Sequence, residues 1–588
     1  MVYSGWNDEG VRGLNRLTGV VLASVALLAV SVALAGCDGD GNVFSSTAKL
    51  AEPAVPDSSG GTQTTPSDSG STTPPPSGGS SGGGTTMSDK RFEGTWIASF
   101  GDDFASGVLE NEYAARLDLQ RAAFSRITGT GKFFRFFRQG QNLWDESDVT
   151  VTQGSTADDY AQIVVNSRAF DYPQTWYLRL SGGLLSGMYT AFDGHNNVMR
   201  AGHAQWRLLS DYSIAGDWVS GFGDSFSVND PQVEDSGPMR HRTAGITLNA
   251  RTSQIFAGKG DFVELREQDR SVGWGFSVND GSVVGPEATF TFDQFYAPTV
   301  PSSVTSAPMY WKGFYSTDHM VGAFGQFNAS GEFTRFGHAS WYHVPANLQP
   351  SAVNGTWVSA FQDALTAEAE PGIFLALMTL EVRNGGGVTG SNVQIRQETG
   401  QDADYQRYPA ADGQMEALAL HLELGSQVQR IVWDLYPAGG VLVGSYQRFN
   451  NLGDFLGRGV AEWWPQLANT TLDGSWAASY ADTTRVGGAA PEQTGLGYVT
   501  LAGQTMPDIS GTGSLLLAGE RTPKSFNVSG TVSNSEVQWR WAGRGLSGNT
   551  IWRLRQSGTM LVGTYTNYNN IGDVESRGCA SWLRTSAK

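Results

Sequence analysis

Cysteine and charge are both scarce in this sequence. Two cysteines, Cys37 and Cys579, stand among 588 residues, too few for the disulfide framework that staples small secreted domains. Asp, Glu, Lys and Arg together make up 16% of the chain, and no block of consecutive like charges marks an interaction tail. The balance is acidic, −18. Phosphate backbones need a basic surface, so this balance argues against a nucleic-acid partner and reads as solubility. A convincing amphipathic helix is also missing. What the chain holds in plenty is glycine, 75 residues, and aromatic side chains, 11%. Many strands joined by Gly-rich turns give that mixture, and the length allows several domains.

The first 36 residues read as an export signal. Arg12 and Arg16 supply a positive start, and LTGVVLASVALLAVSVALAG supplies the apolar core. The run ends in Leu34-Ala35-Gly36-Cys37, which resembles the lipobox of bacterial lipoproteins. That resemblance implies cleavage before Cys37 and a diacylglycerol, with its fatty acyl chains such as palmitate, on the Cys37 sulfur. Several acyl chains together make a stable membrane anchor. Asp38 resembles the inner-membrane retention signal of enteric bacteria; which membrane holds this chain stays open. CDGDGN lacks the Gly and Glu of a calcium loop, with Val43 and Lys49 in their places, so no metal is expected there. Residues 37–90 are dominated by Ser, Gly, Thr and Pro and read as a disordered tether.

Beyond the tether one unit recurs four times. GTWIASFGD at Gly94 returns as GDWVSGFGD at Gly216, GTWVSAFQD at Gly355 and GSWAASYAD at Gly474. A second anchor ends at Leu119, Leu248, Leu380 and Leu501. A third pairs a Trp with a Gly eleven residues on: Trp176/Gly187, Trp311/Gly322, Trp433/Gly444 and Trp552/Gly563. Fifteen residues later G-x-A-x-W closes each unit, at Gly202, Gly337, Gly459 and Gly578. The units divide the chain into 91–210, 211–346, 350–466 and 470–588. Each spans about 105 to 125 residues between its outer tryptophans, too long for a propeller blade and right for a small domain. Only eleven residues separate Trp206 from Trp218, so the units should be closely coupled.

Within a unit the texture is strand and turn. Gly94, Trp96, Ala98 and Phe100 share one face by the period of two, as do Gly202, Ala204 and Trp206. FNNLGD and YNNIGD read as hairpin turns. The expected fold is all-β: four tandem antiparallel meander barrels of about eight strands each, since closure removes exposed edges. The opening G-x-W strand and a late arginine make the unit resemble the calycin group, lipocalins and avidins. In that group the arginine packs beside the Trp, a part that Arg200, Arg335, Arg458 or Arg577 would take. The resemblance implies the barrel and carries no ligand: no second lipocalin motif and no avidin ligand set can be mapped.

One stretch suggests chemistry. FGDSFS around Ser225 resembles the nucleophile block of GDSL-type esterases. Its counterparts in the other units are Asp103, Ala364 and Thr483, while the preceding acid recurs as Asp102, Asp224, Asp363 and Asp482. That esterase family also needs Asp-x-x-His, which none of the seven histidines provides, and a serine needs a base to take its proton. The recurring element is therefore the acid, expected as a turn cap or as the partner of the arginine before the closing Gly. The recurring tryptophans, Trp96, Trp218, Trp357 and Trp476, are expected in the core. His203 and His338 stand where Val460 and Cys579 stand and read as strand-surface or packing positions; Cys579 reads as a small, partly buried side chain. GKFFRFFRQG, with Phe133 to Arg138, is expected to be a barrel strand with one apolar face.

The expectation is a non-enzymatic protein of the cell envelope, held to the membrane through Cys37 and used for binding or surface interaction. Tandem copies suggest a long modular surface. The anchor, tether and barrels together resemble bacterial surface lipoproteins that bind carrier proteins. A structural or adhesive spacer is the alternative, and an esterase using Ser225 a further one. No cofactor is implied, and no ligand or protein partner is named by any motif.

Overall fold

The computed structural model describes residues 90–585, apart from 107–110, 124, 137–144, 169, 229–238, 266–270, 297–307, 329–332, 398–403, 417, 468–470, 486–492, 503–505, 534, 544–545 and 547. Cys37, the signal and the tether up to residue 89 lie outside the described residues.

In the first unit a 3-10 turn, Lys90–Phe92, leads into β1 (Gly94–Gly101), β2 (Phe104–Ala105), β3 (Glu112–Ala123), β4 (Arg126–Phe136), β5 (Asp145–Ala157), β6 (Tyr160–Asn166), β7 (Gln174–Ser181), β8 (Leu184–Phe192) and β9 (Val198–Leu209). From β3 onward each strand pairs antiparallel with the next, β1 pairs with β3, and the two-residue β2 lies on β9. Pairing of Trp96 with Leu208 in β9 closes the sheet into a barrel of eight long strands. The other three units repeat this order and closure. Their opening strands are Gly216–Gly223, Gly355–Gln362 and Gly474–Ala481; their closing strands are Phe333–Val344, Phe455–Pro465 and Val574–Arg584.

The repeat anchors explain the barrel. The first glycine of each unit enters its strand at φ between 122° and 139° (Gly94, Gly216, Gly355, Gly474), a left-handed region that favours glycine. Two residues on, the indole of Trp96 donates to Phe92 O at 3.0 Å, and Trp218, Trp357 and Trp476 do the same four residues back. Each tryptophan thus fastens the entering chain under its barrel while its ring fills the interior. The closing glycine is a point of close approach: a Cβ on Gly202 would lie 2.5 Å from the Tyr189 ring and 2.6 Å from Gly101 O.

The interiors are packed with rings. In barrel 1 Trp176 meets Trp206 edge to face at 5.2 Å, with Phe100 wedged against Trp176 at 5.0 Å. Trp433/Trp463 and Trp552/Trp582 repeat the pair at 5.2 and 5.1 Å. Such pairs add roughly 0.5–1.5 kcal/mol each beyond the area they bury.

The four barrels do not form an extended array. The outer side of β1 and β3 packs on the last three strands of barrel 2, and barrel 2 packs in the same way on barrel 3, and barrel 3 on barrel 4. The opening strand of barrel 4 and its Thr494–Leu501 strand then pack on β8 and β9 of barrel 1. One head-to-tail contact, used four times, closes into a ring with pseudo-fourfold symmetry. The long surface expected from tandem copies is therefore folded back on itself, while the close coupling expected from the short connections is present.

Each joint solves the same geometry with different chemistry. Between barrels 1 and 2, Phe134 stacks on Phe314 at 5.0 Å, framed by Lys132–Glu287 at 3.1 Å and Lys312–Glu146 at 2.8 Å. Between 2 and 3, Thr243 Oγ1 donates to Asp434 O at 3.0 Å and accepts from the Ser445 N–H at 2.7 Å. Between 3 and 4, Thr483 donates to Gln362, and Arg577 pairs with Glu370. Between 4 and 1, Leu496 and Leu516 pack on Tyr177 and Met188, and Arg179 lies over the Tyr498 ring at 4.1 Å.

Candidate functional site

The acid that ends each opening strand is buried, and its backbone setting is the same four times. Its N–H donates to the carbonyl of the residue just before the second long strand: Asn111, Arg240, Gly372 and Gln493, at 2.9–3.1 Å. Its carboxylate then accepts the N–H of that same residue, at 2.9 Å for Asp102, 2.8 Å for Asp224, 2.9 Å for Asp363 and 3.3 Å for Asp482. The acid caps the point where the chain re-enters the barrel after its loop. A neutral side chain with one acceptor would satisfy the cap, so the charge has a further partner.

That partner differs from copy to copy. Asp102 is held by Arg200 and by the Tyr189 hydroxyl. Asp224 accepts from Arg242 and Arg335, both at 2.7 Å. Asp363 accepts from Arg448 Nε at 3.0 Å and Tyr446 at 3.1 Å, and Asp482 from Tyr565 at 2.9 Å and Ser576 at 2.8 Å. The expected pairing with the arginine before the closing glycine is thus present in barrels 1 and 2. Arg458 instead reaches Met239 O of barrel 2 at 2.6 Å, and Arg577 reaches Glu370 of barrel 3. The reason is parity. Arg200 and Arg335 stand two residues before the glycine, but Arg458 and Arg577 stand one before it. A shift of one residue turns a strand side chain to the opposite face, so the first two point into their barrels and the others point across a joint.

These settings separate the carboxyls electrostatically. Burial pushes Asp102 up to about 6, against the attraction of Arg200. Burial also raises Asp363 despite Arg448. Asp224 is buried equally, yet its two guanidiniums hold it well below the usual carboxylate range.

A second feature lies on the ring axis. A cavity of about 120 Å³ is lined by all four barrels, well above the roughly 10–15 Å³ that one water requires. Ser99, Gly221, Ala360 and Ser479, one position in four copies, face it. So do His203, His338, Val460 and Cys579, and beside them Gln205, Ser340, Glu462 and Ser581. His203, His338, Val460 and Cys579, expected as strand-surface or packing positions, are part of the lining of this axis. His203 Nδ1 lies 2.8 Å from Asp103 Oδ2, and His338 Nδ1 lies 2.8 Å from Glu112 Oε2 of barrel 1. Cys579 is buried, with Sγ 3.8 Å from Gln362 Oε1 across the joint. His241 and His319 also line the cavity. Burial pulls His241 down to about 3, helped by Arg458, and holds His319 well below the ordinary value. Both are neutral imidazoles at physiological pH. Among the described residues no group of three or more His, Cys, Asp or Glu is arranged to hold a metal ion. The axis is therefore a small space of mixed polar and apolar lining. Its sequence signal was the small residue kept at Ser99, Gly221, Ala360 and Ser479.

Ser225 follows the capped Asp224 at the bend before the two-residue strand Phe226–Ser227, and its N–H donates to Phe336 O at 3.0 Å. Its Oγ is enclosed and has no hydrogen-bond partner among the described residues. His195 sits at the tip of a turn, 89% exposed. The Phe133–Arg138 stretch is absorbed by packing as far as residue 136: Phe133 faces the core, Phe134 and Phe136 enter the joint with barrel 2, and Arg135 pairs with Asp145 at 2.9 Å.

No family model and no curated protein matches the chain. Among solved structures it is similar to a protein of unknown function from the DUF3598 family of Nostoc punctiforme, at 12% identity and a TM-score of 0.15, over 40% of this chain and 98% of that one. It is also similar to a mutant of the vaccine antigen transferrin-binding protein B from Haemophilus parasuis, at 10% identity and a TM-score of 0.18, over 84% of this chain and 96% of that one.

Proposed function

We propose that the chain is a lipid-anchored protein of the cell envelope whose ring of barrels is a non-enzymatic platform for a macromolecular partner. The observation that supports this most is the filling of the barrels. Their interiors, where a lipocalin-like protein would hold a small ligand, are occupied by tryptophan, phenylalanine and tyrosine rings. Recognition by such a molecule belongs to its outer surface. Ring closure speaks against the spacer reading, because four barrels joined in a circle add little reach.

The reading has two parts and each has its test. Acyl labelling and membrane fractionation of wild type and Cys37→Ser test the anchor: label and membrane association should both vanish in the variant. A Cys37–Cys579 disulfide in a non-reducing digest would overturn it, because one sulfur cannot carry both bonds. Turnover of a soluble ester by wild type and Ser225→Ala tests the absence of catalysis. Serine-dependent turnover would replace the platform reading with the esterase.

A further inference from the structure

The joint between barrels 3 and 4 is hollow and cationic. A groove of about 460 Å³ opens there, within the range of roughly 300–1,000 Å³ typical of small-molecule sites. Three guanidiniums line it, Arg407, Arg553 and Arg555, against one lining carboxylate, Glu536. Glu536 is already engaged, by Arg553 at 3.0 Å and by the Tyr405 hydroxyl at 3.4 Å. Arg555 is 4% exposed, yet among the described residues its Nε has no partner and its Nη1 reaches Ser535 Oγ at 3.5 Å. Burial pulls its pKa down against the attraction of Glu536 and Tyr405. A buried guanidinium left partly unmatched is costly.

The repeat supplies its own control. Each barrel has a residue at this position, three after the third-anchor Trp: Arg179, Phe314, Tyr436 and Arg555. Arg179 has the same unpartnered Nε, but the rest of its guanidinium is matched. It pairs with Asp159 at 2.6 Å and lies over the Tyr160 and Tyr498 rings at 4.8 and 4.1 Å. By strand register the matching places around Arg555 hold Ser535, Glu536 and Leu377. In the joint between barrels 1 and 2, Glu146 binds both Lys132 and Lys312. Register places Tyr405 where Glu146 stands and Arg407 where Asp148 stands. The substitutions remove two acids and add a guanidinium at this hollow joint.

We propose that this groove is a binding site for a small multivalent oxyanion, bearing phosphate or carboxylate groups. Arg555 would form the floor and make charge-assisted hydrogen bonds through its guanidinium. Arg553 and the exposed Arg407 would flank the ligand, with hydroxyls of Thr531, Ser533 and Tyr405 as neutral donors. The proposal is independent of the anchoring reading.

The test is calorimetric titration of the full chain with inorganic phosphate and, separately, with citrate, at constant ionic strength. Saturable binding of at least one probe at millimolar concentration or below is expected. Arg555→Gln should weaken it at least tenfold and Arg407→Gln several-fold, whereas Arg430→Gln, an exposed arginine outside the groove, should leave it unchanged. Arg407 lies at the surface, so its variant keeps the test decisive if Arg555→Gln fails to fold. Absence of saturable binding for both probes would overturn the proposal. So would equal weakening by Arg430→Gln, or binding unaltered in Arg407→Gln. Preference for phosphate or citrate then assigns the ligand class.

Discussion

The acid at the end of each opening strand shows how one residue serves a common and a private purpose. The common one is the cap on the re-entering chain, and it was legible because Asp recurs while Ser225 does not. The private one is the charge partner, which was half legible: the arginines were visible, but the one-residue offset of Arg458 and Arg577 sends them out of their barrels. Asp224→Asn takes the charge from between Arg335 and Arg242, which keeps Glu264 at 2.9 Å, and should cost about 3–5 kcal/mol, the usual penalty for breaking a buried pair, read as a shift of the urea midpoint. Asp102 has the opposite pH signature. Its folded pKa of about 6 stands above the unfolded value of about 4. Between the two the native state holds more protons, so this group's contribution falls as pH rises through that window. Asp224, depressed by its guanidiniums, contributes above the ordinary carboxylate pKa and loses that contribution as pH falls through it. Asp102→Asn should therefore flatten the decline in stability between about pH 4 and 6, measured as urea midpoint against pH. A carboxyl carbon shift of Asp102 titrating near the unperturbed value would contradict this.

At the scale of the element, the opening strand is buried on both sides. Trp96, Ala98 and Phe100 fill the barrel, and the alternate residue Ile97 is covered by the neighbour. Val219, Val358 and Ala477 repeat that outward apolar position, and all are buried. This was the sequence signal for the joints, present in four copies and masked by the stronger inward pattern. A close approach across a joint falls at Gly221, where a Cβ would lie 2.9 Å from Gly444 N and 3.0 Å from its Cα. Both are backbone atoms, so no side-chain movement relieves the clash. Gly221→Val should destabilise by about 1–3 kcal/mol, as overpacking does. Hydrogen exchange should rise first along Gln429–Ala438 and Val441–Asn450, the strands across that joint, and unchanged exchange there would show that the joint adapts.

The whole molecule is a circle made from a linear repeat. Short connections told that neighbours touch, but not that the fourth unit returns to the first. Closure depends on the angle between packed faces, and that angle is set by bulk at positions such as Phe134, Thr243 and Leu496, which share no residue type. A ring has a testable mechanical property. A protease site placed in the exposed turn around Asn347, between barrels 2 and 3, divides the chain into two halves that still meet at two joints. The cleaved protein should elute as one particle of unchanged size, and separation into halves at micromolar concentration would show that the ring does not hold itself.

Four barrels of nearly one outline, made on one chain, could pair in many wrong orders. The unlike chemistry of the four joints prevents this. A stack of Phe134 on Phe314 cannot dock on the hydroxyls that serve Thr243 and Ser445, and the carboxylates that meet Lys132 and Lys312 would be stranded against Leu496 and Tyr177. The joints therefore spell out a seating plan, readable while the chain is still being made. Genes in which the repeats were shuffled should yield barrels that fold singly but clump, since each would seek a neighbour that is no longer beside it.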